Sequence, residues 1–276
     1  MTAAAAGPEA GPATSPRKAV TFPRILRSEW LKLQTLRSTW VALFLAVLVL
    51  VVAAGIIGNH LHDDLTHGAV FRDPEDRDLL TTPLRGFGLA QLVMGVLGVL
   101  AVTGEYATGT IRASFTAVPT RLPVLWGKLV VFALLGFATM LVGSFTAFLV
   151  GQSMLGSFGV GLGAQHAVRV VVALAGYLTL VGLLGLGLGC LVRSTAGSIA
   201  SLVGVLLVAP GILAALGTDW ATTASHYLPL NAGQAMFADQ PPSNGDLSST
   251  GGLITMLVWV AASVTSAAVV VSRRDA

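Results

Sequence analysis

Few side chains in this sequence have the type and spacing for chemistry. His60, Asp64 and His67 stand at i, i+4 and i+7, so they share one face if the preceding apolar run continues as a helix. Imidazole and carboxylate suit zinc or copper. Ligand type alone does not make a site, and solvated residues at the mouth of a span are the plainer reading, so no metal is assigned. The lone cysteine, Cys190, lies within an apolar run and reads as a small buried hydrophobe. Ser144, Ser198 and Ser201 lie in apolar runs, but every histidine lies outside them, so a serine nucleophile would lack its base there. A phosphate-binding loop reads G-x-x-x-x-G-K-[ST]. The single Gly-Lys pair, Gly127-Lys128, is followed by Leu129, and Leu122 stands where the first glycine belongs. The chain is therefore expected to bind no cofactor and to carry no ATPase site.

The chemistry that remains belongs to the elements. Of 276 residues, 54% are hydrophobic and 11% charged, against about 25% charged in soluble domains. Too little polar surface exists to cover a water-soluble globule, so lipid is the solvent. Six runs are long enough to cross about 30 Å of hydrocarbon. They cover 39–58, 86–103, 129–150, 170–192, 197–216 and 253–272, and none holds an Asp, Glu, Lys or Arg. An ion-driven carrier usually needs acids or histidines at membrane depth, which speaks against that alternative. A cytoplasmic N-terminus puts 12 of the 16 basic residues inside, among them Arg112, Arg121 and Lys128, and 9 of the 13 acids outside. Basic residues flanking spans answer to the membrane, and nucleic acid is not an expected partner. The outer segments of about 27 and about 36 residues are too short for a large domain of their own. Residues 1–20, rich in Ala, Gly and Pro, read as a disordered cytoplasmic tail and not as a signal peptide; 21–276 read as one transmembrane domain.

Two cytoplasmic segments carry pattern. Over 22–37, Phe22, Ile25, Leu26, Trp30, Leu33 and Leu36 fall within an arc of about 140°, with Arg24, Arg27 and Gln34 opposite. This predicts an amphipathic helix in the headgroup layer, anchored by Trp30 and Trp40. Glu29 sits inside the apolar arc, which calls for a basic residue of another segment, a partner subunit, or a route to water. After span two, Ile111, Phe115 and Val118 recur at i, i+4 and i+7 and Pro119 follows, so a second short amphipathic helix is predicted. Gly185 and Gly189 of span four form a small-xxx-small pair suited to close helix packing. Pro210 is expected to kink span five.

Ser28-Glu29-Trp30-Leu31-Lys32-Leu33 with Arg37-Ser38-Thr39-Trp40, and Gly104-Glu105-Tyr106 with Gly109-Thr110-Ile111-Arg112, resemble the permease subunits of type-2 ATP-binding-cassette exporters. The likeness covers about residues 22–274. It implies an all-α membrane protein of the bacterial plasma membrane: six transmembrane helices, an N-terminal elbow helix, and a cytoplasmic coupling helix between spans two and three. By that resemblance Glu29, Trp30, Lys32 and Arg37 belong to the elbow, while Glu105, Thr110, Arg112, Phe115 and Arg121 form the surface that docks on a separate ATPase. It further implies a second permease chain, identical or related, a pathway between the two, and ATP used by the partner. The same resemblance implies that the outer stretch 225–237 dips back as short helices that cap the pathway; a loop resting on the outer leaflet is the other reading. A non-transporting subunit of a membrane complex is the remaining alternative, and the cargo is not legible.

Overall fold

The computed structural model describes residues 21–68, 78–109, 122–239 and 245–273, and among these every regular element is helical. Helix α1 spans Phe22–Thr35, with Pro23 in its first turn where a missing N–H costs nothing. Leu36 adopts an extended conformation and α2 starts at once, Arg37–Thr66. A 3-10 turn, Thr82–Gly86, leads into α3, Phe87–Thr108. Then come α4, Leu122–Met154, and α5, Ala167–Val192. Span five is composite: α6, Thr195–Val203, a π-helical turn, Gly204–Val208, and α7, Ala209–Leu216. Short helices α8, Asp219–His226, and α9, Pro229–Phe237, precede α10, Ser249–Arg273.

Six of these units are long and apolar enough to cross a membrane, and together they contain all six predicted runs. The helices overrun those runs, because lipid contact limits only the apolar stretch while hydrogen bonding carries the helix into polar sequence. At 30 residues α2 is about 45 Å long, well beyond the hydrocarbon thickness. It is this excess that brings charged residues into helices: Lys128 lies six residues into α4 and Glu105 three residues before the end of α3.

Helix α5 is the hub. It is the most deeply buried span and packs on α3, α4, α9 and α10, while α2 packs on α4 and α3. The seam between α3 and α5 is built on glycine. A Cβ at Gly98 would overlap the carbonyl oxygen of Gly182, and one at Gly185 would overlap that of Gly95; at Gly189 it would lie 3.1 Å from the oxygen of Val99. The predicted packing pair Gly185 and Gly189 thus faces α3, whose own glycines answer it. Without side chains between them the backbones approach closely, as lipid-embedded helices do to gain dispersion energy. Gly98→Ala should lower stability by about 1–3 kcal/mol through overpacking. Gly88→Ala, which meets only open space, should be neutral or slightly stabilising. Thermal unfolding in one detergent reads both, and equal midpoints for the two variants would contradict this account of the seam.

Pro210 acts one turn earlier than a simple kink. It sits in the first turn of α7, directly after the π-turn. Proline has no N–H for the i−4 carbonyl and its ring crowds that carbonyl. A widened turn just before it relieves both problems.

Candidate functional site

The charged side chains that lie deepest in the bundle gather at one end of it, where α3 ends and α4 begins. Lys128 Nζ lies 2.7 Å from Glu29 Oε2 of α1 and 2.7 Å from Glu105 Oε1 of α3. Lys32 Nζ closes the group, 2.6 Å from Glu29 Oε1 and 3.2 Å from Glu105 Oε1. Glu29 is 2% exposed, Lys128 7% and Glu105 14%. Two carboxylates and two ammonium groups balance in formal charge, and each buried charge has a partner of opposite sign, the condition under which buried ions are tolerated.

The local sequence explains the geometry. Ile25, Glu29 and Leu33 recur at i, i+4 and i+8 and make up the buried strip of α1, which packs on α4. Gly127, next to Lys128, lets α1 come close: a Cβ there would meet Ile25 Cγ2 at 2.8 Å and Glu29 Cγ at 3.8 Å. The predicted apolar arc of α1 therefore divides. One half buries Glu29 against Lys128, while Phe22 and Trp30 stay exposed on the flank. Of the readings open for Glu29, pairing with a basic residue of another segment is the one the fold contains, and a route to water is not. Trp40 is exposed as well and donates its indole N–H to the Gln34 carbonyl, which fixes the corner between α1 and α2. Arg37, at the first position of α2, is also exposed.

A second tie reaches the same end of α3. Arg193 follows α5 in a left-handed conformation, φ 56°, and its guanidinium carbon lies 5.3 Å from the centre of the Tyr106 ring. Such a cation over an aromatic face is attractive. Gly109 ends α3 with φ 71°, a conformation that glycine adopts without strain. The Gly104-Glu105-Tyr106 run is thus gripped from α1, α4 and α5 immediately before the chain enters 110–121. Thr110, Arg112, Phe115 and Arg121, the remainder of the expected coupling surface, lie outside the described residues, as does residues 1–20, the expected tail.

The other candidates fall apart spatially. His60, Asp64 and His67 are all exposed at the far end of α2, and His67 Nδ1 contacts the Asp63 carbonyl at 2.7 Å. Among the described residues no three His, Cys, Asp or Glu side chains come together to hold a metal ion. Sequence reasoning missed Lys128 as a site residue. Its signal was present: a lysine enclosed by Leu122-Pro123-Val124-Leu125-Trp126-Gly127 and Leu129-Val130-Val131, too apolar a setting for a solvated loop.

Fold and site together define a polytopic helical membrane domain in which an ion-paired clamp grips both ends of one connecting loop. Residues 25–210 match the family described as ABC-2 family transporter protein, and the chain belongs to that family. The match runs from the buried strip of α1 through Pro210 and so contains the whole clamp. No curated protein matches the chain.

Proposed function

We propose that this chain is the membrane-spanning permease subunit of an ATP-binding-cassette exporter, driven by a separate ATPase that docks on the segment joining α3 to α4. Family membership supports a membrane transport component. The single observation that carries the finer reading is the clamp. Lys128 joins the helix that enters the loop, the helix that leaves it and the α1 helix beside them, so a push on the loop moves three elements as one. The clamp end is cytoplasmic in this reading, on the strength of the basic residues around it. Elbow and coupling helix are the roles that α1 and 110–121 take.

Two copies would line the pathway between them. Span five is the least buried of the six, and Gly204 and Gly211, seven residues apart, each have open space where a Cβ would lie. Glycines on an uncovered apolar helix suit close packing by a second chain. The double variant Gly204→Leu/Gly211→Leu is expected to reduce dimer yield in membrane cross-linking while the monomer keeps its thermal midpoint. Undiminished dimer would rule out this face.

The deciding experiment is affinity purification in mild detergent from the native membrane, followed by identification of co-purifying proteins. An ATPase with a phosphate-binding loop is expected, and its hydrolysis should rise when both are reconstituted together. Vesicles containing this polypeptide alone that concentrate cargo against a gradient would overturn the reading, as would labelling that locates Thr110 on the outer side.

A further inference from the structure

At the end of the bundle opposite the clamp, α9 is held by very few directional contacts. Its buried face, Pro229, Ala232, Gly233, Met236 and Phe237, rests on α5 and α10. The seat is aromatic. The Phe237 ring centre lies 5.1 Å from that of Phe87 and 6.1 Å from that of Tyr177. Gly233 lies flat on the Tyr177 ring, so close that a Cβ would overlap it. Below the seat Tyr177 donates to Gln91 Oε1, with both residues fully buried. Gln91 Nε2 has no hydrogen-bond partner among the described residues. Tyr177 is ten residues into α5, about 15 Å along it, so the seat of α9 reaches toward the middle of the span.

Side chains from two helices hold the ends of this short element. At its N-terminal side Trp259 of α10 donates to the Tyr227 carbonyl at 2.8 Å. At its C-terminal side Arg169 of α5 donates to the carbonyls of Met236 at 3.3 Å and Ala238 at 2.6 Å, and to Ser249 Oγ at 2.9 Å. Those carbonyls are among the acceptors a helix leaves unpaired at its end, and the guanidinium also suits the negative pole there. Asp239 flanks the group, 3.9 Å from Arg169 and 3.0 Å from His166 Nδ1. One side chain therefore fastens α9 to α5 and to the start of α10, across a glycine-smoothed aromatic surface that offers little other directional resistance.

We propose that Arg169 is a positioning residue for transport: it clasps α9 over Tyr177 and closes the outer end of the bundle, and its release lets α9 lift and uncovers the Tyr177–Gln91 pair. The planar fork is essential, because two carbonyls and a hydroxyl must be reached at once; a lysine ammonium is a point donor on a flexible stem. The inference rests on the permease reading for its purpose but not for its test.

The test uses the full chain in lipid vesicles with Cys190→Ala, which leaves no other thiol. A single Ala232→Cys reports the buried face of α9, and a single Leu155→Cys reports buried packing at the same end of the bundle, away from α9. Labelling by a membrane-impermeant maleimide is followed in time. Arg169→Gln should raise the rate at residue 232 by about tenfold, the scale of one lost charged donor, with Arg169→Lys between it and the parent and residue 155 unchanged. An unchanged rate at 232 in folded Arg169→Gln would overturn the clasp. Equal rises at 232 and 155 would overturn it too, by showing that Arg169 serves general packing. If Arg169→Gln does not fold, Arg169→Lys decides in the same way. No ATPase or cargo takes part, so failure here leaves the subunit assignment standing, and absence of an ATPase leaves the clasp standing.

Discussion

Lys128→Met is expected to cost this protein about 3–5 kcal/mol of stability, the range for removing one partner of a buried ion pair. The methionine fits the volume of the lysine stem. What changes is the charge: Glu29, 2% exposed, loses its buried cation and keeps only Lys32, which is 32% exposed. A carboxylate left so in low dielectric must find water or take up a proton, and either breaks the seam between α1 and α4. The stable fraction in detergent should fall and the thermal midpoint should drop. Lys128→Met/Glu29→Gln/Glu105→Gln removes the three most buried charges together and should regain most of that loss, because the one ammonium left, on Lys32, is 32% exposed and can turn its head to water. A single variant as stable as the parent would mean that Lys128 is solvated in the membrane-bound protein. A triple variant no better than the single would mean that the stem's packing, not its charge, holds α1 down.

The contrast between single and triple variants also separates folding from coupling. If the clamp exists to transmit force, the triple variant should fold and still transmit poorly, since neutral amides cannot grip three helices as two salt-bridged carboxylates do. Buried ions are weak contributors to stability against apolar substitutes, so a role in fixing one arrangement of α1, α3 and α4 is the better reason for their presence.

How far the sequence carried this picture depends on which force shapes each part. The six spans were legible because lipid allows only long uncharged runs, a property visible in one dimension. Glu29 was legible as an anomaly for the same reason: an acid in an apolar arc violates the helical pattern. Its pairing was not, because Lys128 is 99 positions away at the edge of an apolar run, and the apolar residues around it mark the lysine as unusual without naming the acid that it meets. Only the upstream extension of α4 to Leu122 turns that edge into an interior. Gly185 and Gly189 were visible as a packing pair, while their targets, Gly95 and Val99, depend on which helix lies opposite. Arg169 carried no signal at all. It reads as one more basic residue before a span, and its role arises from α9 returning to the bundle some 60 residues later, a matter of tertiary contact alone.

Arg112→Ala is expected to do the reverse of Lys128→Met: leave the fold intact and disconnect it from the ATPase proposed above. The residue belongs to 110–121, outside the described residues, in the stretch whose sequence resembles a coupling surface, and α3 ends before it, at Gly109. Loss of a docking contact removes coupling free energy between two sites, which typically amounts to 5–150-fold. ATP-driven flux in reconstituted vesicles should therefore fall by about tenfold or more, with the thermal midpoint of the isolated subunit unchanged. Glu105→Ala should behave as a mixture of the two. Glu105 is turned toward Lys128 and is 14% exposed, so its contribution to docking runs through the clamp. Ranked by stability the order is Arg112→Ala, Glu105→Ala, Lys128→Met; ranked by flux per folded molecule, all three are low. An Arg112→Ala protein that retains full ATP-driven flux with a bound ATPase would remove the loop from the coupling path. The clamp would then be a device of folding alone.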